Sequence, residues 1–216
     1  MKSSVFFSDL KVESKKTLLD KLDILLDQTD LKGKVKEKDL VAVKLHFGEK
    51  GNTAFVRPIF LRRVVDRVKQ YKGKPFLTDT NTLYIGTRSE AVSHLTTAFD
   101  NGFTESVVNA PILIADGLRG NSAMKVRIDR PLFKTVSIAH EIYMADVLIT
   151  VTHFKGHELC GFGGALKNLG MGCSSREGKL SQHSNISPQV KGKACEGCEV
   201  CLSWCPQSAI SMDSSG

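Results

Sequence analysis

Short apolar runs alternate with amphipathic helical stretches along most of this chain, and that alternation restricts the fold more than any other feature. Residues 40–47, L-V-A-V-K-L-H-F, read as a mostly apolar strand. Gly48, Gly51 and Asn52 then make a loop. A helix follows with Pro58 in its first turn, Leu61, Val64, Val65 and Val68 on one face, and Gly73 as its stop. Residues 75–80, P-F-L-T-D-T, form a second strand, with Pro75 tolerated at its start. Ser89 opens another helix, which carries Ala91, Val92, Leu95, Ala98 and Phe99 and ends at Gly102. Residues 111–115 are a third strand. Residues 125–128 pair with 133–136 across D-R-P as an inserted hairpin, and 138–144 form a short helix. Residues 145–151, A-D-V-L-I-T-V, are the clearest buried strand. Ahead of all these, Ser14 caps a first helix whose Leu18, Leu19, Leu22, Leu25 and Leu26 share a face. Strands separated by helices close as a largely parallel sheet flanked by helices, so the fold class is α/β.

The polar stretch 178–193 is expected to connect this domain, residues 1–187, to a small cysteine-bearing segment, residues 188–216. At 216 residues the chain accommodates one large domain and such an appendage. The start, M-K-S-S-V-F-F-S-D-L, shows no signal peptide, and no apolar run reaches membrane-spanning length. No membrane partner and a cytoplasmic location are expected. The net charge of +7 is spread along helices, as in R-R-V-V-D-R-V-K, without a basic stripe or interleaved aromatics. Nucleic acid is therefore not expected. A small anionic substrate or an acidic redox partner protein fits the charge better.

The segment C-E-G-C-E-V-C-L-S-W-C-P places Cys195, Cys198, Cys201 and Cys205 ahead of Pro206. This is the C-x2-C-x2-C-x3-C-P spacing of bacterial ferredoxins, whose short steps wrap a loop around one face of a 4Fe–4S cluster. Zinc is the alternative, but zinc sites usually use two separated cysteine pairs. In two-cluster ferredoxins the fourth cysteine of such a run serves the other cluster. Two clusters with four thiolates each outnumber the six cysteines present. Either Cys160 or Cys173, the two outside the run, completes a single cluster, or the run is the first half of a module that continues past Gly216. The second is the expectation, so the ferredoxin-like segment is read as incomplete and the cofactor as one or two 4Fe–4S clusters. Cys160 and Cys173 then behave as ordinary reduced thiols.

Ligands of open parallel sheets bind beyond the carboxyl ends of the strands. Three expected strand ends carry polar groups: His46; Thr78, Asp79, Thr80 and Asn81; and His153, Lys155, His157 and Glu158. His46, Asp79, His153 and His157 are the candidate catalytic residues, able to move protons or to hold a divalent metal if they converge. K-L-H-F-G and V-T-H-F-K-G both end an apolar strand with His-Phe and a nearby Gly, which puts His46 and His153 at equivalent strand ends. G-F-G-G-A-L-K-N-L-G-M-G-C follows, matching neither a dinucleotide-binding fingerprint nor a P-loop. Its glycines allow close backbone approach. Gly163, Gly164, Lys167 and Asn168, with Asn81 and Lys155, are the candidate substrate-binding residues.

Taken together, V-K-L-H-F-G-E-K-G-N-T, F-L-T-D-T-N-T-L-Y, the long glycine-rich motif and the cysteine run resemble the iron–sulfur-associated proteins of the domain of unknown function 362 family. The resemblance covers nearly the whole chain. It implies an α/β domain carrying a ferredoxin-type segment with two cysteine runs, of which this chain has the first. It implies iron–sulfur binding and no settled reaction. The family's cluster ligands fall on Cys195, Cys198, Cys201 and Cys205. Three functions follow in order: an iron–sulfur-dependent oxidoreductase, a ferredoxin-like electron carrier or adaptor, and a non-redox metal-dependent enzyme.

Overall fold

In the computed structural model, which describes residues 3–158, 160–184, 189–204 and 210–212, the first helix, α1 (Leu18–Gln28), starts at Thr17 rather than at the expected Ser14. Thr17 and Asp20 cap each other: the Thr17 hydroxyl accepts the Asp20 N–H at 3.2 Å, and the Asp20 carboxylate accepts the Thr17 N–H at 2.8 Å. A reciprocal cap of this kind contributes about 1 kcal/mol and outcompetes a lone serine upstream. A single turn, α2 (Leu31–Lys34), leads into β1 (Leu40–Lys44).

The central units follow the expected alternation. Helix α3 (Pro58–Gln70) has proline at its N-terminus and buries Leu61, Val64, Val65 and Val68, the expected face. Strand β2 (Lys74–Asp79) comes next, then α4 (Ala91–Asp100), the turn α5 (Glu105–Val108) and β3 (Ile112–Ile114). The antiparallel hairpin of β4 (Ala123–Arg127) and β5 (Thr135–Ala139) is inserted there, followed by α6 (His140–Met144) and β6 (Val147–Thr150). A second hairpin joins β7 (Lys155–His157) to β8 (Gly161–Gly163). Helices α7 (Ala165–Gly170) and α8 (Arg176–His183) complete this part, and α9 (Val200–Trp204) lies in the cysteine segment.

Strands β3, β2, β1 and β6 form one parallel sheet in that order. Its core joins Val43, Leu45 and Phe47 to Leu61, Val64 and Val65 of α3 and to Ala98 and Phe103. Phe47 and Phe103 meet edge to face at 5.3 Å.

Four expectations are corrected. The first strand ends at Lys44, not at residue 47, because its ladders with both neighbours end there, at Thr78 and Thr150. Leu45 and Phe47 stay buried beyond the ladder. Helix α4 buries His94, Thr97 and Ala98 and leaves Val92 and Phe99 exposed. Its inner face sets His94 3.6 Å from Asp79 and ties the Thr97 hydroxyl to the Thr87 and Ser93 carbonyls. Strand β6 is a sheet edge rather than a fully buried strand, and Leu148 is 37% exposed. The expected polar connection begins as helix α8, with Gly178 and Lys179 buried. A Cβ on Gly178 would lie 2.4 Å from the Ser137 carbonyl oxygen, so only glycine lets the helix seat there.

The chain divides into two compact units, Met1–Leu180 and Ser181–Gly216; the expected boundary was 187/188. Among the described residues no helix is long and apolar enough to cross a membrane.

Candidate functional site

Strand order β3-β2-β1-β6 contains a reversal: the chain runs outward from β1 to β3, then returns to the other side of β1. Ligand crevices of open α/β sheets lie at such a switch point, beyond the carboxyl ends of the strands. Here that place is between β1 and β6. Lys44 stands opposite Thr150, and the Val151 N–H donates to the Lys44 carbonyl at 2.8 Å. His46 follows β1 by two residues and His153 follows β6 by three. The two His-Phe signatures therefore end neighbouring strands.

Below the crevice lies a buried charge network. Lys44 Nζ is 2.9 Å from Asp79 Oδ1, with side chains 1% and 5% exposed. It also donates to Asn168 Oδ1 at 2.7 Å and to the Leu45 carbonyl at 2.8 Å. Arg88 Nη1 donates to Asp79 Oδ2 at 3.2 Å, and His94 Nε2 lies 3.6 Å from the same oxygen, an ion-pair separation longer than a hydrogen bond. Burial alone would raise the Asp79 pKa, but the Lys44, His94 and Arg88 neighbours hold it well below the usual carboxylate range. Asp79 is thus an ionised anchor. Asn168 carries the network to the glycine-rich motif, since its amide also donates to Thr152 Oγ1 at 2.9 Å.

His46 sits at the crevice in a fixed tautomer. Its Nδ1 accepts the Gly48 N–H at 2.9 Å, which leaves the hydrogen on Nε2. Burial, with the Arg88 and Lys155 charges adding to it, pushes its pKa down to about 4, so the ring is neutral near pH 7. Asp79 and Glu49 also act on it, which places His46, Asp79 and Lys155 in one electrostatic neighbourhood.

The β7–β8 hairpin presents two different faces. Lys155 is paired with Gly163 and His157 with Gly161, so one face carries Lys155 and His157 opposite two glycines. A Cβ on Gly163 would lie 3.9 Å from Lys155 Cγ and 4.0 Å from Lys167 Cδ, so this glycine sits between two lysine stems. His157 Nε2 meets Lys167 Nζ, and its Nδ1 accepts the Cys160 N–H at 3.2 Å. The other face carries Phe154 and Phe162, stacked at 5.5 Å and exposed. Gly164 is the N-cap of α7. His153 is half-buried, and its Nδ1 is shielded without a hydrogen-bond partner among the described residues.

A second polar layer flanks β2. Asp116 accepts both the backbone N–H and the side-chain amide of Asn81, at 2.9 and 3.0 Å. Lys179 donates to Thr80 Oγ1 at 2.6 Å and to the Ser174 carbonyl at 2.7 Å. Burial lowers the Lys179 pKa to about 8 and raises that of Asp116. Asn81 is therefore held by Asp116 and by the Gly117 carbonyl. Cys173 is buried with Ala115, Ala139 and Ile142, and burial raises its thiol pKa.

The residues that sequence reasoning missed are Lys44, Glu49, Tyr84, Arg88, Asp116 and Lys179. Lys44 carried a signal: a lysine inside an apolar strand flanked by glycine-rich loops must be paired if buried. The others come from separate loops and helices and carry no local pattern.

Among the described residues no three His, Cys, Asp or Glu side chains are gathered so as to hold a metal ion. Asp79 is taken up by Lys44 and Arg88, and His157 meets Lys167. Cys195, Cys198 and Cys201 are exposed free thiols, around turns with positive φ at Gly197 and Glu199. Unpaired thiols in a looped segment are the donor chemistry a cluster takes. Cys205 lies outside the described residues.

Fold and site together define a parallel α/β domain with a charged strand-end crevice. The chain belongs to the family described as a domain of unknown function (DUF362), which matches residues 41–205. No curated protein and no solved structure matches it.

Proposed function

We propose that this is an iron–sulfur oxidoreductase of the cytoplasm that binds a small anionic substrate at the β1/β6 switch point and exchanges electrons with a redox partner protein. The observation that carries the substrate class is the basic face of the β7–β8 hairpin, where Lys155 and Lys167 flank a glycine beside a neutral His46. In this reading the two lysines neutralise the anion, and the half-buried backbone at Gly164, beside the buried Gly163, lets it approach closely. His46 offers its Nε2–H as a donor, while Asp79 and Asn168 hold Lys44 and the glycine-rich motif in register. Cys195, Cys198, Cys201 and Cys205 would be ligands of one or two 4Fe–4S clusters, which supply one-electron transfer when bound. The net charge of +7 suits an acidic electron partner.

Two measurements on the same preparation test this. Anaerobic reconstitution should give iron and sulfide in equal amounts and a spectroscopic cluster signal. Cys198→Ser should reduce that signal about tenfold or more; iron uptake that Cys198→Ser leaves unchanged overturns the cluster. Titration with inorganic phosphate should show saturable binding that Lys155→Ala and Lys167→Ala each weaken about three- to tenfold. Binding that ignores both lysines overturns the anion site.

A further inference from the structure

Arg88 is a cation with more capacity than the fold uses. It comes from the loop after β2, and its side chain is only 4% exposed. Nη1 is spent on Asp79 at 3.2 Å. Nη2 meets Glu49 Oε1 and the Tyr84 hydroxyl, the latter at 2.7 Å. Nε is shielded from solvent and has no hydrogen-bond partner among the described residues. Nε and Nη2 form the side-on edge of a guanidinium, the edge that grips both oxygens of a carboxylate in a bidentate pair. Glu49 takes half of that edge.

Glu49 is a weakly committed occupant. Its side chain is 36% exposed and belongs to the turn between Gly48 and Gly51, whose φ values are +89° and +79°. Residues 50–54 of that turn are exposed, and a Cβ on Gly51 would meet nothing within 4 Å. Rotation about the side-chain bonds of Glu49 is enough to carry its carboxylate into water. Tyr84, itself 56% exposed, donates to the same Glu49 oxygen at 2.6 Å and would turn to any oxygen that replaced it. Charge balance points the same way. Lys44 and Arg88 against Asp79 leave one positive charge over, and Glu49 meets it. With Glu49 rotated away, that charge is left for a ligand at the mouth of the crevice, beside His46.

We infer that Arg88 and Tyr84 form a carboxylate seat, that Glu49 occupies it as an internal stand-in, and that the ligand of this site is a small carboxylate whose binding displaces Glu49. This rests on the anion-binding reading above and names its substrate class. The incoming group takes both Nε and Nη2, where Glu49 takes one. A tetrahedral phosphate lacks the planar fork that this edge matches.

The test is a titration of the full chain, followed by NMR of tyrosine ring signals, with succinate as the probe, dimethyl succinate as its uncharged control and inorganic phosphate alongside. Glu49→Gln keeps the shape and removes the competing charge, so it should bind succinate about tenfold tighter than wild type and shift the Tyr84 signal at lower concentration. Tyr84→Phe, at an exposed position, should weaken succinate about threefold with melting unchanged. Arg88→Lys in the Glu49→Gln background keeps the charge without the fork and should abolish the gain. Succinate binding that Glu49→Gln leaves unchanged or weakens overturns the seat. If phosphate binding then still depends on Lys155 and Lys167, the anion site stands without it. Loss of both overturns both. Equal binding of dimethyl succinate also overturns the seat.

Discussion

Lys44 and Asp79 set the terms of the site one residue at a time. Both are buried, and Asp79 is shared between Lys44 and Arg88. Removing Lys44 leaves Arg88 as the one buried cation against both Asp79 and Glu49, so the buried charge is no longer balanced. Lys44→Met should therefore cost about 3–5 kcal/mol in urea unfolding, and Lys44→Met with Asp79→Leu should recover part of that loss. A loss under about 1 kcal/mol, the range of an exposed pair, would show the network to be solvated. His46 contributes a pH dependence. Its folded pKa of about 4 lies below the unfolded value of about 6.5, so between those values the unfolded chain binds more protons. Stability should fall as pH drops through that window, by up to about 3 kcal/mol. His46→Gln should flatten this slope in melts taken from pH 7 to pH 4. His46 and Asp79 were legible in the sequence because polar residues at the end of an apolar run have a place in this fold class. Arg88 and Lys179 were not, because their pairing partners are set by tertiary packing.

At the scale of elements, glycines separate seating from binding. A Cβ on Gly172 would fall 2.2 Å from the Asn168 carbonyl oxygen and 2.9 Å from Lys44 Nζ. Gly172→Ala should cost about 2–3 kcal/mol through this overpacking. Gly163→Ala meets ordinary contacts, so its melting should change by less than about 0.5 kcal/mol, while phosphate binding between the two lysine stems weakens. Equal destabilisation by both substitutions would refute the distinction. The sequence predicted α3 down to its buried face, because a proline start and an i, i+3, i+4, i+7 apolar stripe agree. It misjudged α4 because that helix buries His94 beside the Asp79 carboxylate and Thr97 against the Thr87 carbonyl, neighbours no periodicity reveals. It misjudged the surroundings of β6 because an apolar run reads alike at the centre and at the edge of a sheet. The β7–β8 hairpin was legible only as a glycine-rich stretch following an apolar strand. Its two-faced character depends on register.

For the whole molecule, the buried apolar clusters draw their members from residues 35–173, all within Met1–Leu180. The larger unit thus has its own core. Deleting residues 191–216 should leave a cooperative melt within a few degrees of the full chain; a collapse of the transition would show that the larger unit depends on the smaller. The order of the sheet has a consequence in time. Strand β1 takes β6 as its neighbour, and the Leu40 N–H is met by the Asp146 carboxylate from 106 residues further on. During synthesis the first three strands can assemble while one flank of β1 stays bare. Chain closure over so long a span is slow, and an unpaired apolar strand edge invites association with other chains. The crevice is therefore the last part of the domain to come into being. A nascent chain stalled before residue 147 carries His46 and Arg88 but neither Lys155 nor Lys167, and a sticky edge, which makes that interval the one in which a chaperone matters most.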